Sequence, residues 1–323
     1  MVLATFTPPT FDRADSPGWK AHLESEGYAV IHNVFTPEVV AQSLELFWKD
    51  WTTVSPGFVR NDPSTWSINT APMMFAKGIA VFNGFGQSDF MWNLRLRPEI
   101  LDIFAQIHAV PPETLISSFD GFSVFFSKLQ KNPHTWWHVD QHPSNPNYSI
   151  QGAYNYLPVT ENSAGFTVVP KSHNTFVASK TSKIEDWIEI HKNKTAEEAS
   201  SILTAGVKLL LPPNCFVLWN SKTIHANTGI PCTKGSRKDD PPVLNRLTAY
   251  ITYVPRTRTS VETTERRKQA YYEGATTSHW PEKLEIKKYP WGFGPRYESK
   301  GFKQITPSLT STGSIPEERL KHI

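Results

Sequence analysis

The part of the chain between Leu115 and Pro255 consists mainly of short segments in which apolar and polar residues alternate. Alternation with a period of two is typical of β-strands, because successive side chains point to opposite faces of a sheet. Seven segments have strand character and are bounded by residues that favour turns: 122–129, 135–141, 149–158, 165–169, 207–211, 215–220 and 245–254. A run of so many short strands predicts a sandwich or a barrel.

Helical patterns lie mostly before these strands. Thr36 is a helix cap with Pro37 at the first helical position, which predicts a helix to about Trp48, and a second helix is predicted over 98–109. Two capping boxes predict short helices between strands, at Ser182–Glu185 and Thr195–Glu198. We therefore expect a mainly β protein with flanking helices (α+β), a double-stranded β-helix or jelly roll of the cupin-like kind.

The length of 323 residues suits one large domain or two small ones, and 39% hydrophobic and 20% charged residues allow a sizeable core; we expect a single domain. Within it we expect a helical N-terminal part (1–114), a jelly-roll core (115–255) and a C-terminal extension (256–323). The net charge of +3 is too small to indicate a nucleic-acid partner. No apolar run is long enough to span a bilayer, no signal peptide is recognisable, and the two cysteines fit reduced thiols, so a cytoplasmic protein is expected. Oligomeric state is not predicted.

One pattern carries chemistry. His138 and Asp140 are two residues apart on a predicted strand and share a face, while His225 ends a later apolar segment. Two imidazoles and one carboxylate form the facial triad of non-haem Fe(II) oxygenases, which leaves coordination positions open. His134 offers an alternative pairing with His138 for zinc, but the expected glutamate is missing and Pro133 opposes a helix.

Two neighbours of the triad are candidate substrate contacts. His142 continues the face of His138 and Asp140, and is expected to lie behind the ligands or towards the substrate. Trp136 lies on the same face and would form a wall of the substrate pocket, although packing in the core explains it equally well. An aromatic lid over 52–95 would suit a small, partly apolar substrate, and a packed outer layer is the alternative.

Beyond these residues, the sequence resembles the phytanoyl-CoA dioxygenase family of Fe(II)/2-oxoglutarate oxygenases over roughly 20–255. The segments that carry the resemblance are 26–38, 137–140, 161–173 and 216–225. Their order matches the family's entry strand and first helix, its metal strand, its loop before a Ser-His pair and the strand that delivers the last ligand. Lys171 and the pair Asn214-Cys215 depart from the family pattern at turn positions.

The resemblance implies Fe(II), 2-oxoglutarate and O₂ as cofactor and co-substrates. It also implies an arginine that binds the far carboxylate of 2-oxoglutarate, for which we select Arg246, with Arg237 as second choice. Weaker co-substrate candidates are Thr248, which shares the face of Arg246, Asn227 and Gln130.

The expected reaction is hydroxylation of an unactivated C–H bond in a small organic molecule, with decarboxylation of 2-oxoglutarate to succinate. The carboxylate of Asp140 favours hydroxylation, because halogenating relatives lack it. Two alternatives remain at this point: an oxygenase acting on a protein side chain or nucleobase, and a cupin-like binding protein without turnover.

Overall fold

The computed structural model describes residues 3–75, 78–127, 129, 135–179, 187–231, 241–286, 309–310 and 313–323. The strands among them are β1 Ala4–Phe6, β2 Tyr28–Ile31, β3 Ile79–Ala80, β4 Leu115–Ser117, β5 Phe122–Phe126, β6 His138–Val139, β7 Ile150–Asn155, β8 Gly165–Val168, β9 Ile188–Glu189, β10 Val207–Leu209, β11 Cys215–Asn220, β12 His225–Thr228, β13 Leu244–Ile251 and β14 Tyr253–Pro255. The helices among them are α1 Ser16–Glu26, α2 Pro37–Val54, α3 Asp89–Arg95, α4 Pro98–His108, α5 Ser172–Thr175, α6 Ile190–Asn193, α7 Ala196–Leu203, α8 Val261–Tyr272 and α9 Glu317–Leu320.

The chain forms two compact units, and each is built from two separate stretches of sequence. Unit 1 comprises Met1–Val34 and Gln130–Lys238, and unit 2 comprises Phe35–Leu129 and Asp239–Ile323. Each unit contains strands and flanking helices.

Unit 1 contains a six-stranded sheet in the order β1-β10-β8-β12-β6-β9. In the middle of this sheet, β12 pairs antiparallel with β8 on one side and with β6 on the other. A second group of strands in the unit pairs antiparallel in the order β2-β11-β7. Phe166 of β8 contacts Trp219 of β11, with ring centroids 5.1 Å apart, so the two groups of strands face each other across an apolar layer.

A glycine corner in unit 1 holds the turn that precedes β12. Gly27 ends α1 in the left-handed region at φ 81°, and a Cβ there would come within 2.5 Å of the ring of His173. Its carbonyl oxygen accepts hydrogen bonds from Asn220 N–H and from Thr223 Oγ1, both at 2.9 Å. Glycine is needed here for the positive φ and for the close approach, and both serve to fix the turn.

Unit 2 contains the strand group β13-β5-β3, with β13 antiparallel to β5, and the pair β14-β4. Its core is unusually aromatic. Trp51 of α2, Phe58 and Phe122 of β5 are fully or almost fully buried, and Trp51 contacts Phe58 edge-on and Phe122 at a tilt. The apolar face of α2 therefore packs on β5, and burial of such rings stabilises the unit.

The fold class, mainly β with flanking helices, is confirmed, but several boundaries differ from the sequence prediction. The helix that begins at Pro37 continues to Val54, six residues beyond the predicted end, because Phe47 and Trp51 remain buried. Of the segment predicted as strand 135–141, only His138 and Val139 pair as a strand. Helices α1, α3 and α8 were not predicted. The sequence of α8 is mostly polar and lacks the apolar periodicity by which a helix is recognised.

Two smaller predictions also have outcomes. The capping box at Thr195 and Glu198 is confirmed with both reciprocal hydrogen bonds, whereas that at Ser182–Glu185 lies outside the described residues. Cys215 is a free buried thiol whose pKa is raised to about 12 by burial. Within the described part of the chain, none of the helices has the length and apolarity needed to cross a membrane.

Candidate metal centre

Strand pairing in unit 1 brings the predicted ligands together. His225, the first residue of β12, is directly opposite His138, the first residue of β6. Opposed residues of an antiparallel pair point to the same face, and Asp140 returns to that face two residues after His138. The pairing of His225 with His138 is therefore what brings the distant histidine next to His138 and Asp140.

The three side chains converge at their donor atoms. Nε2 of His138 is 3.5 Å from Oδ1 of Asp140, and Nε2 of His225 is 3.3 Å from Oδ2 of the same carboxylate. One ligand atom from each residue lies within 4.8 Å of the other two, and all three residues are buried. Among the described residues this is the group that could hold a metal ion.

Both imidazoles are fixed in the orientation that coordination through Nε2 requires. Nδ1 of His138 lies 2.8 Å from the carbonyl oxygen of Trp136, and Nδ1 of His225 lies 2.9 Å from the carbonyl oxygen of Thr223. A carbonyl can only accept, so each Nδ1 must carry the proton and donate it. In the neutral rings this leaves the Nε2 lone pair directed at the cluster.

The backbone around Asp140 is held by the turn between β11 and β12. Asp140 N–H and Gln141 N–H donate to the carbonyl oxygen of Ser221, at 2.9 and 3.2 Å. Ser221 Oγ donates to Gln141 Oε1 at 2.7 Å and accepts from Ser149 N–H at 3.1 Å. These bonds replace strand pairing after Val139 and place the carboxylate between the two imidazoles.

Aromatic rings pack against both histidines. Trp136 stacks on His138 with centroids 4.1 Å apart and an angle of 15°, and Trp187 lies 5.9 Å from the same imidazole. Phe166 and Trp219 lie 5.8 and 5.4 Å from the ring of His225. The stacking leaves the two imidazoles little freedom to rotate. The sequence analysis did not identify three of these rings, Trp187, Phe166 and Trp219. Each lies in or beside an apolar strand, where an aromatic residue is expected simply to pack in the core.

The remaining predicted residues of unit 1 have mixed placements. Asn227 lies two residues beyond His225 on β12 and is buried. His142 is also buried, and its Nδ1 accepts a hydrogen bond from Ser144 N–H at 3.1 Å. Gln130 and His134 lie outside the described residues.

The predicted co-substrate residues on β13 belong to unit 2. Arg246 and Thr248 are both buried, and Arg246 Nε donates to Thr248 Oγ1 at 3.0 Å. Burial lowers the pKa of Arg246, and Tyr250 on the same strand opposes that shift. A guanidinium so far from water interacts strongly with an anion. Arg237 lies outside the described residues.

The donor set fits a divalent transition metal. Two imidazole nitrogens and one carboxylate on one side of an ion are the facial triad, which leaves sites on the other side for further ligands. A closed structural zinc site would use four protein ligands, but here three converge among the described residues.

Comparison with known proteins gives a distant relative by sequence and a similar fold among solved structures. No family model matches the chain. A curated relative, the Ava biosynthesis cluster protein O of Aspergillus versicolor, is 26% identical over 223 residues, which are 64% of this chain and 70% of the relative.

Among solved structures, the epimerase SnoN in complex with Fe3+, alpha ketoglutarate and nogalamycin RO has a TM-score of 0.50 at 18% identity, covering 76% of this chain and 85% of SnoN. EctD from S. alaskensis with 2-oxoglutarate and 5-hydroxyectoine has a TM-score of 0.48 at 14% identity, covering 79% and 80%. The likeness to SnoN supports the jelly-roll fold predicted from the sequence.

Proposed function

We propose that this protein is an Fe(II)/2-oxoglutarate-dependent oxygenase that hydroxylates an unactivated C–H bond of a small organic substrate. The observation that carries the proposal is the convergence of His138, Asp140 and His225, with both imidazoles held so that Nε2 faces the carboxylate. SnoN, of similar fold, was solved with iron and alpha ketoglutarate, which supports the same cofactor and co-substrate here.

In this proposal His138, Asp140 and His225 hold Fe(II) on one side. When bound, the ferrous ion with 2-oxoglutarate and O₂ supplies the oxidising power for C–H cleavage, with succinate and CO₂ as by-products. The chain contributes orientation and exclusion of water. Stacking of Trp136 on His138 and of Phe166 on His225 keeps the ligand rings in place and lines their surroundings with apolar surface.

We assign Arg246 to the far carboxylate of 2-oxoglutarate, with Thr248 beside it. The guanidinium presents paired N–H donors that match a carboxylate, and Thr248 Oγ1 already fixes its Nε. Asn227, on the strand of His225, and Gln130 are further candidates for contacts to the co-substrate.

We assign Trp136 and His142 to the substrate side. Trp136 is only partly buried, so one part of the indole remains accessible while the rest stacks on His138. The relative from a biosynthesis cluster and the complex of SnoN with nogalamycin RO favour a small organic molecule over a macromolecule.

The decisive test measures succinate formed from 2-oxoglutarate under air with added Fe(II). The wild type should release succinate even without substrate, at a slow uncoupled rate, and Asp140→Ala should abolish the release because two imidazoles alone hold iron weakly. Glu161→Ala, which removes an exposed carboxylate, is the matched control and should retain the wild-type rate. Iron-dependent succinate release by Asp140→Ala at the wild-type rate would refute the assigned centre.

A second prediction concerns the co-substrate. Arg246→Ala should raise the apparent KM for 2-oxoglutarate by roughly a hundredfold, because a buried charge-assisted pair contributes about 3 kcal/mol. Arg246→Lys keeps the positive charge but loses the paired N–H donors. Its apparent KM for 2-oxoglutarate should therefore lie between those of the wild type and Arg246→Ala. If the apparent KM is unchanged in both variants, the carboxylate binds elsewhere and Arg237 becomes the candidate.

A further inference from the structure

A second polar feature of unit 1 lies on the inward side of β7 and β11. Gln151 of β7 is directly opposite Trp219 of β11 in the antiparallel register. Ser149 precedes Gln151 by two residues and therefore points to the same side. We call Ser149, Gln151 and Trp219 the Gln151 face.

Four polar atoms of this face have no hydrogen-bond partner within the protein. They are Ser149 Oγ, Gln151 Nε2, Gln151 Oε1 and Trp219 Nε1. The exposed fractions of Ser149, Gln151 and Trp219 are 1%, 0% and 2%, so bulk water does not reach them. Among the described residues, Gln151 is the one side chain with two such buried atoms. A buried amide with neither end satisfied is costly, and an amide flip changes nothing, because both ends are affected.

The Gln151 face points towards the candidate metal centre. The indole of Trp219 lies 5.4 Å from the ring of His225 and 5.1 Å from Phe166 on the opposite sheet. Ser149 is hydrogen-bonded through its backbone to Ser221, whose carbonyl oxygen holds the N–H of Asp140. The indole of Trp219 therefore lies in the layer between the sheets that also contains His225, and Gln151, opposite Trp219 in the register, belongs to the same side of β7 and β11.

The chemistry of these atoms selects among ligands. Gln151 Nε2, Trp219 Nε1 and Ser149 Oγ can donate, and Gln151 Oε1 can only accept. A carboxylate or ketone would satisfy the donors but leave Gln151 Oε1 unpaired, because it has no N–H or O–H to offer. A group that carries a carbonyl oxygen and an N–H side by side pairs with both ends of a glutamine at once.

We propose that the Gln151 face is a subsite for an amide or lactam group of the substrate. Gln151 forms the paired contact, and Trp219 Nε1 or Ser149 Oγ donates to the remaining lone pair of the carbonyl. The name "substrate" for this ligand rests on the proposed oxygenase function, whereas the binding contact itself requires neither metal nor 2-oxoglutarate. This subsite would place the oxidised carbon near an amide, next to the ligand His225.

The test uses metal-free full-length protein and three small probes of nearly equal shape. 2-Pyrrolidinone has both the carbonyl and the N–H, N-methyl-2-pyrrolidinone lacks the N–H, and γ-butyrolactone replaces it with an ether oxygen. Binding is followed by the indole ¹⁵N–¹H resonance of Trp219, assigned with Trp219→Phe. We expect 2-pyrrolidinone to bind at least tenfold more tightly than either analogue and to shift that resonance.

Variants separate this subsite from the alternatives. Gln151→Met, which keeps the length of the side chain, should abolish the preference for 2-pyrrolidinone. Gln87→Met, in unit 2, also removes a buried amide and should retain the preference. Equal binding of all three probes, or no shift of the Trp219 resonance, would overturn the proposal and leave the face to internal water. If Gln151→Met instead binds 2-oxoglutarate more weakly and keeps the lactam preference, the proposal is wrong. Gln151 would then be a contact for the co-substrate rather than for the substrate.

Because these measurements omit iron, they do not depend on turnover. A protein that binds the lactam but releases no succinate would disprove the oxygenase and keep the subsite. A protein that releases succinate but shows no lactam preference would support the oxygenase and disprove the subsite.

Discussion

Two buried glutamines, one in each unit, have opposite surroundings. Gln87 of unit 2 donates through Nε2 to the carbonyl oxygen of Ala275 and accepts through Oε1 from Trp92 Nε1, both at 2.9 Å. Gln151 of unit 1 makes neither kind of bond within the protein. The first amide connects parts of the chain that are far apart in sequence, whereas the bonding capacity of the second is not used within the protein.

The contrast extends to the guanidinium groups of unit 2. Arg95 donates to the carbonyl oxygens of Gly86 and Asp120, each at 2.7 Å. Arg267 of α8 donates to the carbonyl oxygens of Pro281, Ser117 and His322. In unit 2, both guanidinium groups therefore donate to backbone carbonyls within the protein, and Arg267 holds the C-terminal residues Pro281 and His322. Burial alone thus does not mark a functional residue, and the partner of each polar atom has to be identified.

The largest effect that would sharpen this comparison is expected from Arg267→Met. The substitution removes the donor to the carbonyl oxygens of Pro281, Ser117 and His322, of which the last keeps the hydrogen bond from Ser117 N–H. Burial lowers the pKa of Arg267 to about 9, so removal of the buried charge offsets part of this loss. We expect a net destabilisation of about 3 kcal/mol, measured by urea unfolding. Unchanged stability would show that Arg267 is not a structural tie.

Asp50 of unit 2 provides a pH-dependent test. Burial, partly opposed by the hydrogen bond from Phe90 N–H, raises the pKa of Asp50 to about 6. The folded state therefore holds its proton more tightly than the unfolded state, so this group costs stability as the pH rises from about 4 to 6. Asp50→Asn should remove the cost, and its stability relative to wild type should increase over this window and reach a plateau of about 3 kcal/mol near pH 7.

The neighbouring Asp89 is the matched control for that measurement. Its burial is outweighed by hydrogen bonds from Arg319 and Lys49, which lower its pKa. Asp89→Asn should therefore have the opposite sign, losing stability relative to wild type above about pH 4. Parallel pH curves for the two variants would contradict both assignments.

The smallest effect concerns the two glutamines themselves. Gln87→Met should lower the free energy of unfolding by about 2 kcal/mol, since it strands Trp92 Nε1 and the carbonyl of Ala275. Gln151→Met should change it by less than about 0.5 kcal/mol or raise it, because no bond is lost and an unsatisfied amide is removed. Equal destabilisation by both substitutions would remove the distinction on which the Gln151 face depends.

The sequence was sufficient for the strand pattern and for the three converging residues. His138 and Asp140 share a face through alternation alone, and His225 follows an apolar segment whose strand, Cys215–Asn220, was predicted at its observed bounds. The pairing of β12 with β6 could not be derived from one sequence, because register between distant strands depends on the whole fold. Resemblance to a family supported His225 as the third ligand but did not give this register.

Other features were out of reach for physical reasons. Strand 135–141 shrinks to two paired residues because the carbonyl of Ser221, in a distant turn, takes over the N–H groups of Asp140 and Gln141. Helix α8 has too little apolar periodicity to be recognised, since its buried Arg267 reads as a surface residue. Gln151 gave one signal in the sequence, because it is a glutamine flanked by the apolar or small residues Ile150, Gly152 and Ala153.

The hydrogen bonds from both Nδ1 atoms to backbone carbonyls have a practical consequence for anyone who purifies this protein. The three ligand side chains are oriented before a metal binds, and this arrangement does not select one metal ion over another. Nickel, copper and zinc generally bind imidazole and carboxylate donors more tightly than ferrous iron does. Material from a standard expression host will thus carry whatever the medium and the affinity resin provided. If a preparation is inactive, the metal should be removed with a chelator and replaced with a ferrous salt under argon. Recovery of activity would show that the wrong bound metal, and not the protein itself, was the cause.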